Sequence, residues 1–477
     1  MTKFLPLLVL LTGCSFVPEY QRPVAPVPEQ WPARSAVPSA PTFTGDWQHF
    51  FVDPPLQQLI AAALEHNRDL RIAFARIEEA RALAGIARAD RLPGVDVGLQ
   101  QQAARLPGDL ASSGQATVSR RYDANLGIAA FELDFWGRVA SLETAARANF
   151  LASEFAQRAF RLSLIADVAS AYYSLAELTE RLALAEATAR TRADSRRLIE
   201  QRRDVGLATD LDFLAGDGVY QAARAEAANL ARQHAAAENV LRLLVGNDLG
   251  AVMPTPTNMA PHARSPGSLP PTGGASAWGG PAPTFVVPEI AVGLPSDVLL
   301  NRPDVLAAEQ KLIAANANIG AARAAFLPKI SLTATAGTAS RSLSNLFSGG
   351  AWSFVPLLKW PLFDGDRAAN NVELAEVRKH IAVAEYEKVI QQAFREVADL
   401  LSARVYLAEQ SAAQAAAEHA QTERFKRVEQ RYHAGISSYL ELLDAQRDLF
   451  AAQQAALITR RALAATSAGL YKAVGGG

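Results

Sequence analysis

Between Gly137 and Gly206 lie about 68 residues with no glycine and no proline. Nothing in that run interrupts an α-helix, and at 1.5 Å per residue such a helix is about 100 Å long. A compact globule has no room for it. Residues 366–434 form a second breaker-free run, which ends at Gly435. A shift of 229 positions lays one half on the other: Arg138 falls on Arg367, Gly206 on Gly435, Thr209 on Ser438, Leu214 on Leu443 and Leu241 on Leu470. Upstream, a shift of 235 puts Asp69 on Asp304, Leu92 on Leu327 and Pro93 on Pro328, and the difference reads as a change of loop length. The chain is a tandem duplication of one long, hairpin-like unit.

A soluble chain of 477 residues would ordinarily divide into several domains, which the breaker-free runs argue against. Its formal net charge of -1 leaves no basic stripe for nucleic acid. The single cysteine, Cys14, excludes an internal disulfide and a cysteine-based metal cluster. Lys3, the apolar run from Phe4 to Leu11 and the small residues after it read as a compressed secretory signal over residues 1–13, too short to span a bilayer as a helix. Leu11-Thr12-Gly13-Cys14 resembles the bacterial lipobox, in which cleavage leaves the cysteine as a lipidated first residue. By the same resemblance Ser15 permits sorting to the outer membrane. The other reading of Cys14 is a plain thiol in an ordinary signal sequence. No other stretch approaches 18 continuous apolar residues, so no transmembrane helix is expected.

Residues 14–55 are rich in proline and read as an extended, lipid-anchored tether. A first repeat covers 56–250. It opens with a helical pattern over 56–92, in which Leu59, Ala63, Leu70, Phe74 and Ile77 recur at helical spacings, Asn67 marks a possible break and Pro93 is the stop. The period then falls to 2. Val95, Val97 and Leu99 alternate with Asp96, Gly98 and Gln100, and a second alternation starts at Leu126-Gly127-Ile128 and sets Phe131, Leu133 and Phe135 against Glu132 and Asp134. These predict strands at about 94–103 and 124–135, with a loop over 106–120. In the second repeat, 291–477, the same reading predicts strands at about 329–339 and 351–363, the last weakened by Pro356 and Pro361.

Four strands of about ten residues, apolar on one face and polar on the other, carry the signature of a transmembrane β-barrel. An open edge in lipid leaves backbone groups unsatisfied at several kcal/mol each, so a membrane sheet must close. Four strands are too few, since the smallest membrane barrels have about eight. The chain is therefore expected to oligomerise, with Trp136, Trp352 and Trp360 near the strand ends as an aromatic girdle. A soluble four-stranded sheet packed on the helices is the competing reading.

The long helices carry coiled-coil spacing, as in Leu162, Ile165, Ala169, Tyr172 and Ala176, with a second seam through Leu175, Leu178, Leu182 and Ala185. Two seams on one helix build a wall of helices rather than a solid bundle. Return helices are predicted over 219–245 and 436–468. At each turn a glycine suits a left-handed helix stop, at Gly206 and Gly435, and Thr209 to Asp212 and Ser438 to Glu441 have capping-box spacing. Residues 251–290 join the repeats as a Pro/Gly-rich linker, densest over 253–288, to which no role is assigned.

The lipobox, the duplicated unit and the tips Val205-Gly206-Leu207 and Ala434-Gly435-Ile436 together resemble the TolC family of outer membrane efflux proteins, and in particular its lipoprotein branch of OprM or NodT type. Further motifs carry the likeness: Leu299-Leu300-Asn301-Arg302-Pro303-Asp304, Phe326-Leu327-Pro328-Lys329-Ile330, Pro361-Leu362-Phe363-Asp364-Gly365 and Tyr439-Leu440-Glu441-Leu442-Leu443-Asp444-Ala445-Gln446. The resemblance implies a mainly α fold, in which long helices form an α-barrel and four strands per chain join in a homotrimer as a 12-stranded β-barrel. It implies a lipid-anchored protein of the Gram-negative outer membrane that extends into the periplasm. Such a protein is the exit duct of a tripartite multidrug export system, working with a periplasmic adaptor and an inner-membrane pump of RND type, and is not an enzyme. Asp444 matches the acidic ring at the periplasmic aperture and Glu441 lies one turn earlier, though Glu441 also suits the role of capping-box acid. A carboxylate ring would attract cations and repel anions. Tyr432, Arg447 and Asp212 match positions that in relatives link neighbouring coils and latch the gate. Some relatives carry arginine where this chain has Ser437, so a latch through Arg447 or Arg431 would be built differently, and Arg447 also reads as an ordinary solvated charge. Gly206 and Gly435 would meet the adaptor.

An enzyme reading finds no foothold in the motifs: no histidine pair has HExxH spacing, Gly216-Asp217-Gly218 lacks the third glycine of a dinucleotide loop, and no P-loop occurs. No cofactor is expected beyond the lipid on Cys14. The alternative function is a lipid-anchored periplasmic coiled-coil scaffold without a pore, which would have no use for strand inserts repeated in both halves.

Overall fold

The computed structural model describes residues 16–28, 46–110, 112, 114–247, 249 and 296–476. The expected signal segment, Cys14 and the 251–290 linker lie outside the described residues. In chain order, α1 (Trp47–Phe50), α2 (Pro54–His66) and α3 (Arg68–Ala89) precede strands β1 (Asp96–Leu106) and β2 (Thr117–Glu132). The long helix α4 (Arg138–Asp204) then turns back into α5 (Asp210–Val245). The second half supplies α6 (Pro303–Ala324), β3 (Lys329–Ser340), β4 (Gly350–Lys359), the long α7 (Arg367–His433) and its return α8 (Tyr439–Ala473). Both long helices are 67 residues, so the breaker-free runs fold as single helices. The described residues group into two compact units, one from 16–25, 75–155 and 306–388, the other from 26–28, 46–74, 156–247, 249, 296–305 and 389–476.

The first unit holds the sheet, antiparallel throughout in the order β1-β2-β3-β4. Its register sorts the side chains onto two unlike faces. Val97 lies across from Leu126, Leu126 from Ala336 and Ala336 from Trp352, and the same face carries Leu99, Ile128, Leu332, Phe354 and Leu358. The opposite face carries the polar Gln100, Asp123, Asn125, Ser331, Thr333, Thr335, Ser353 and Lys359, with Val355 and Leu357 of β4 as apolar exceptions. A bulge between Ile128 and Phe131 inserts one residue into β2. There Ala130 takes a left-handed φ of 49° and its N–H donates to Thr333 Oγ1 at 3.1 Å. The insertion keeps Phe131 on the apolar face and leaves Glu132 opposite Ser331 on the polar one.

The strands depart from expectation at their ends. The loop predicted over 106–120 is shorter, because pairing of β1 with β2 persists to Leu106 opposite Thr117; the polar Ser119, Arg120 and Arg121 hide the alternation there. At the other end β2 stops at Glu132 rather than at 135. β4 accommodates Pro356 because it is the outermost strand, and it stops before Pro361. Gly337 is dictated by closeness: an added Cβ would sit 2.1 Å from the Ala124 carbonyl oxygen.

Beside the sheet, the indole N–H of Trp136 donates to the Pro328 carbonyl at 2.8 Å and that of Trp360 to the Phe326 carbonyl at 3.1 Å. Ala145 and Ala148 of α4 pack on Ala314 and Ala317 of α6. Residues 16–25 lie along α6 as a strap. Asn316 donates to the Pro18 carbonyl at 2.7 Å, and a Cβ on Gly320 would collide with Val17. The buried Glu309 carboxylate accepts both arms of Arg22, each at 2.6 Å, and the Tyr20 hydroxyl at 3.0 Å.

In the second unit the Asn-Arg-Pro-Asp motif has a physical role. Arg302, with a side chain only 5% exposed, donates to Asp304 at 2.8 and 3.0 Å, to Glu396 of α7 at 2.9 Å and to the Ala473 carbonyl of α8 at 2.8 Å. Burial works against its charge, but the two carboxylates outweigh it and its pKa is raised. Asn67 separates α2 from α3: its side chain donates to the Leu244 carbonyl and accepts the Leu70 N–H, each at 2.8 Å.

Both helix turns use one geometry. Gly206 and Gly435 have φ of 75° and 74°, and Leu207 and Ile436 donate back to Arg202 and Arg431. Thr209 caps α5 in a closed box: its Oγ1 accepts the Asp212 N–H at 3.1 Å, and Asp212 accepts the Thr209 N–H at 3.0 Å. Ser438 caps α8 through the Glu441 N–H at 3.1 Å. The return helix α5 starts at Asp210, well before the expected 219, despite Gly216 and Gly218. Gly216 is buried, with room for a Cβ denied by Ile199 of α4, so close packing offsets the helix cost of glycine. The second return helix runs over Tyr439–Ala473, a few residues later than expected at both ends.

Two consequences are measurable. Arg302→Ala should destabilise the fold by about 3 kcal/mol by removing the buried link from Asp304 to Glu396 and the Ala473 carbonyl, read as a lower thermal midpoint by circular dichroism in detergent. Thr209→Ala should lower amide protection of the first turn of α5 roughly fivefold. The Thr209 bonds hold the Asp212 carboxylate below its ordinary range. Its share of the cap is therefore complete above about pH 4 and is lost as pH falls through the lowered pKa, which hydrogen exchange across pH would follow.

Candidate functional site at the helix tips

The aperture, latch and adaptor-contact residues singled out by sequence lie at the ends of the two helical hairpins, all in the second unit, while Cys14 lies outside the described residues. At the first tip the ring of Phe213 lies between two guanidiniums, 5.1 Å from Arg196 and 4.4 Å from Arg203. Arg196 also donates to Asp217 at 2.6 Å. Around the two turns Val205, Leu207, Leu211, Ile436 and Leu440 are exposed, an apolar rim on otherwise polar ends.

At the second tip Phe425 and Val428 of α7 pack on Leu442, Ala445 and Leu449 of α8. Tyr432 belongs to this contact, its ring 6.0 Å from that of Tyr439. Burial raises the Tyr439 pKa, an effect reinforced by Tyr432 and opposed by a hydrogen bond with Ser195 of α4. Through Ser195 the second hairpin meets the first.

Glu441, Asp444 and Asp448 follow one another at helical spacing on α8, about 100° around the helix from the buried Leu442, Ala445 and Leu449. Asp444 is 43% exposed and lies 3.2 Å from Arg447 Nη1. Arg447 bends along its own helix, reaching Asp448 at 3.0 Å as well. Asp448 in turn accepts from Arg424 of α7 at 2.6 Å. Arg424 first, then Arg447, holds the Asp448 carboxylate below the usual range. Asp444 and Asp448 thus meet two guanidiniums, while the Glu441 carboxylate makes no ion pair with either.

Asp444 and Arg447 are brought together as an ion pair, and Tyr432 joins the apolar contact between α7 and α8. Asp212 is engaged by Thr209 at the cap of α5. Glu441 donates its N–H to the Ser438 cap, and the closed box seen at Thr209 is not repeated here. Gly206 and Gly435 form the exposed turns. Asp448 was missed in sequence; its place one turn beyond Asp444 was the signal available. Among the described residues no cluster of histidine, cysteine or acidic side chains has the geometry to hold a metal.

Known proteins carry the same architecture. The outer membrane efflux protein family matches residues 59–247 and 294–476, the two halves of the duplication. Outer membrane protein OprJ of Pseudomonas aeruginosa is 43% identical, covering 99% of this chain and 95% of its own length. The probable efflux pump outer membrane protein SepC of Pseudomonas putida is 42% identical over the same shares. Among solved structures, the open state of the Neisseria gonorrhoeae MtrE outer membrane channel superposes with a TM-score of 0.81 at 33% identity, covering 97% of this chain and 98% of that one. CusC gives 0.79 at 36% identity, over 97% of this chain and 100% of its own. With its duplicated hairpins, its two-faced sheet and these full-length likenesses, the chain belongs to the outer membrane efflux protein family.

Proposed function

We propose that this chain is the outer membrane exit duct of a tripartite efflux system, conducting substrates passively from an inner-membrane pump, of RND type, through a periplasmic adaptor. The observation that carries the reading is the sheet, with one apolar face, one polar face and two unpaired edges. At about 3.4 Å per residue and a tilt near 40°, the 10 residues of β4 climb roughly 26 Å, the height of a barrel's apolar band. With four alternating strands, β1 and β4 run in opposite directions, so identical copies join head to tail without a parallel pair. Three copies give a homotrimer with a barrel of twelve strands. The polar face lines the conduit and the apolar face meets lipid.

The helix tips would close the duct. Asp444 and Glu441 are assigned to the aperture, with Tyr432, Arg447 and Asp212 as its latch. Arg447 pairs with Asp444 within α8, whereas Arg424 of α7 reaches Asp448 of α8, so opening this coil would release Asp448 from Arg424. The apolar rim around Gly206 and Gly435 suits adaptor contact. Lipidation of Cys14 would tether the chain to the outer membrane. Consistent with that, the strap meets Val17 against Gly320 near the end of α6 that leads into β3, and runs away from it. Energy would come from the pump, since the chain has no nucleotide motif.

In planar bilayers the purified protein should give a small cation-selective conductance, with selectivity reduced in Asp444→Ala. It should also run as a heat-resistant trimer on a denaturing gel. Failure both to insert and to trimerise would sink the duct reading in favour of the coiled-coil scaffold. Labelled palmitate fed to the cells should appear on the wild-type protein and be absent from Cys14→Ala.

A further inference from the structure

The apolar face of the β1–β2 hairpin changes chemistry in bands along its length. On the side that carries Val97 and Leu99, successive cross-strand pairs towards the turn are Val97 with Leu126, Leu99 with Ala124, Gln101 with Tyr122, Ala103 with Arg120 and Arg105 with Val118. Apolar pairs give way to Tyr122, half-buried, with its hydroxyl 3.5 Å from Gln101 Nε2, and then to two arginines. The sheet narrows at the same level. Ser340 of β3 pairs with Tyr122, but from Arg121 to Thr117 strand β2 is paired with β1 alone. The arginines stand on that two-stranded projection.

The strand geometry sets their height. From Phe131 to Tyr122 this face of β2 climbs roughly 21 Å, at about 3.4 Å per residue and a tilt near 40° with the bulge discounted. A barrel's apolar band is about 25 Å tall and is rimmed by aromatic residues, which puts Tyr122 at the rim. Arg120 follows roughly 5 Å higher and Arg105 roughly 5 Å above that. Headgroups add about 5–8 Å to each side of a bilayer's hydrocarbon core, so the two guanidiniums reach the headgroup layer.

Neither charge is used within the chain. Arg105 and Arg120 are exposed, and among the described residues neither makes an ion pair or a side-chain hydrogen bond. Asp123 lies on the opposite face, where it accepts from Arg121 at 2.9 Å. The two arginines are diagonal neighbours on adjacent strands, with their Cβ atoms about 7 Å apart. Two like charges at that spacing repel until an anion lies between them, and the guanidinium fork matches the oxygens of a phosphate.

We propose that Arg105 and Arg120 bind the phosphate groups of an anionic glycolipid in the outer leaflet of the membrane, with Tyr122 seated at the boundary between its acyl chains and its sugars. The proposal rests on the barrel proposed above, which turns this face to lipid and, with the helices in the periplasm, puts the hairpin turn at the cell surface. A membrane phosphate is the occupant because the arginines continue the lipid-facing apolar band directly and stand at headgroup height. A trimer would carry three such sites around its barrel.

Binding of fluorescent lipopolysaccharide to the purified full-length trimer in detergent tests it. Arg105→Ser combined with Arg120→Ser should weaken binding about thirtyfold, whereas Arg121→Ser, on the other face, should leave it unchanged. Phosphatase-treated lipopolysaccharide should bind the wild type as weakly as intact lipopolysaccharide binds the double variant, and equimolar inorganic phosphate should displace nothing. The site is overturned if the double variant binds like wild type, if Arg121→Ser costs as much, or if the dephosphorylated glycolipid binds equally well. Displacement by equimolar phosphate would make it a soluble-anion site and overturn the lipid assignment. Heat resistance and bilayer conductance of the same preparations separate the two readings: trimers that insert and conduct but do not discriminate the phosphate leave the duct standing without the site, and failure to trimerise and insert removes both.

Discussion

Backbone N–H and C=O groups have no partner in hydrocarbon, and this chain builds a sheet that leaves two rows of them unpaired. Its outer strands, β1 and β4, are bonded on one side only, while the face they share is lined with Val97, Leu99, Trp352, Phe354 and Leu358. In water such edges invite uncontrolled pairing, and in a bilayer they cost several kcal/mol for each unsatisfied group. The even strand number turns this liability into an assembly rule. The first and last strands run oppositely, so in the proposed trimer the missing neighbour of each is another copy of the same chain. The position of Pro356 fits the same logic, since an edge strand is where a missing donor is tolerated.

Buried charge is used sparingly and at joints. Glu309 fastens the strap over α6 through Arg22 and Tyr20, and Arg302 ties the entrance of α6 to Glu396 and to the last turn of α8. Within the coils, the buried Glu177 of α4 accepts from Arg181 on its own helix and from Arg461 on α8 at 2.8 Å each. Apolar residues of similar size would hold these elements together as well or better, but would not fix which residue meets which. Long helices rich in alanine have many nearly equivalent registers, and the ion pairs choose among them.

Much of this was legible in the sequence because duplication writes each signal twice. The two glycine stops and their Thr209 and Ser438 caps, the Asn67 break and the uninterrupted long helices need only local chemistry, which single residues disclose. What escaped was set by contacts distant in the chain. Gly216 and Gly218 look like a helix break, yet Gly216 packs close to Ile199 of α4 within a continuous α5, and the start of β2 is masked by polar side chains whose pairing with β1 no periodicity records. Arg302 was quoted as part of a motif, yet its purpose lies in Glu396 and Ala473, far along the chain. Arg447 reads in sequence as a latch candidate or as an ordinary solvated charge, and its pairing with Asp444 and Asp448 on its own helix is visible only in the structure.

The bulge at Ile128 to Phe131 acts as a phase shifter. A strand has only two sides, and one inserted residue exchanges them for everything downstream. Without it, Phe131 and Leu133 would turn to the side of Thr333 and Ser331, and Glu132 would face the opposite way. With it, Glu132 stays beside Lys329 and Arg138, at 2.7 Å from each, where the sheet hands over to α4. The charged collar at that junction is thus set by chain parity: deleting one of Ala129 and Ala130 would leave a regular strand with Phe131 and Glu132 on their present faces, whereas flattening the bulge with both alanines kept would turn the strand's end inside out.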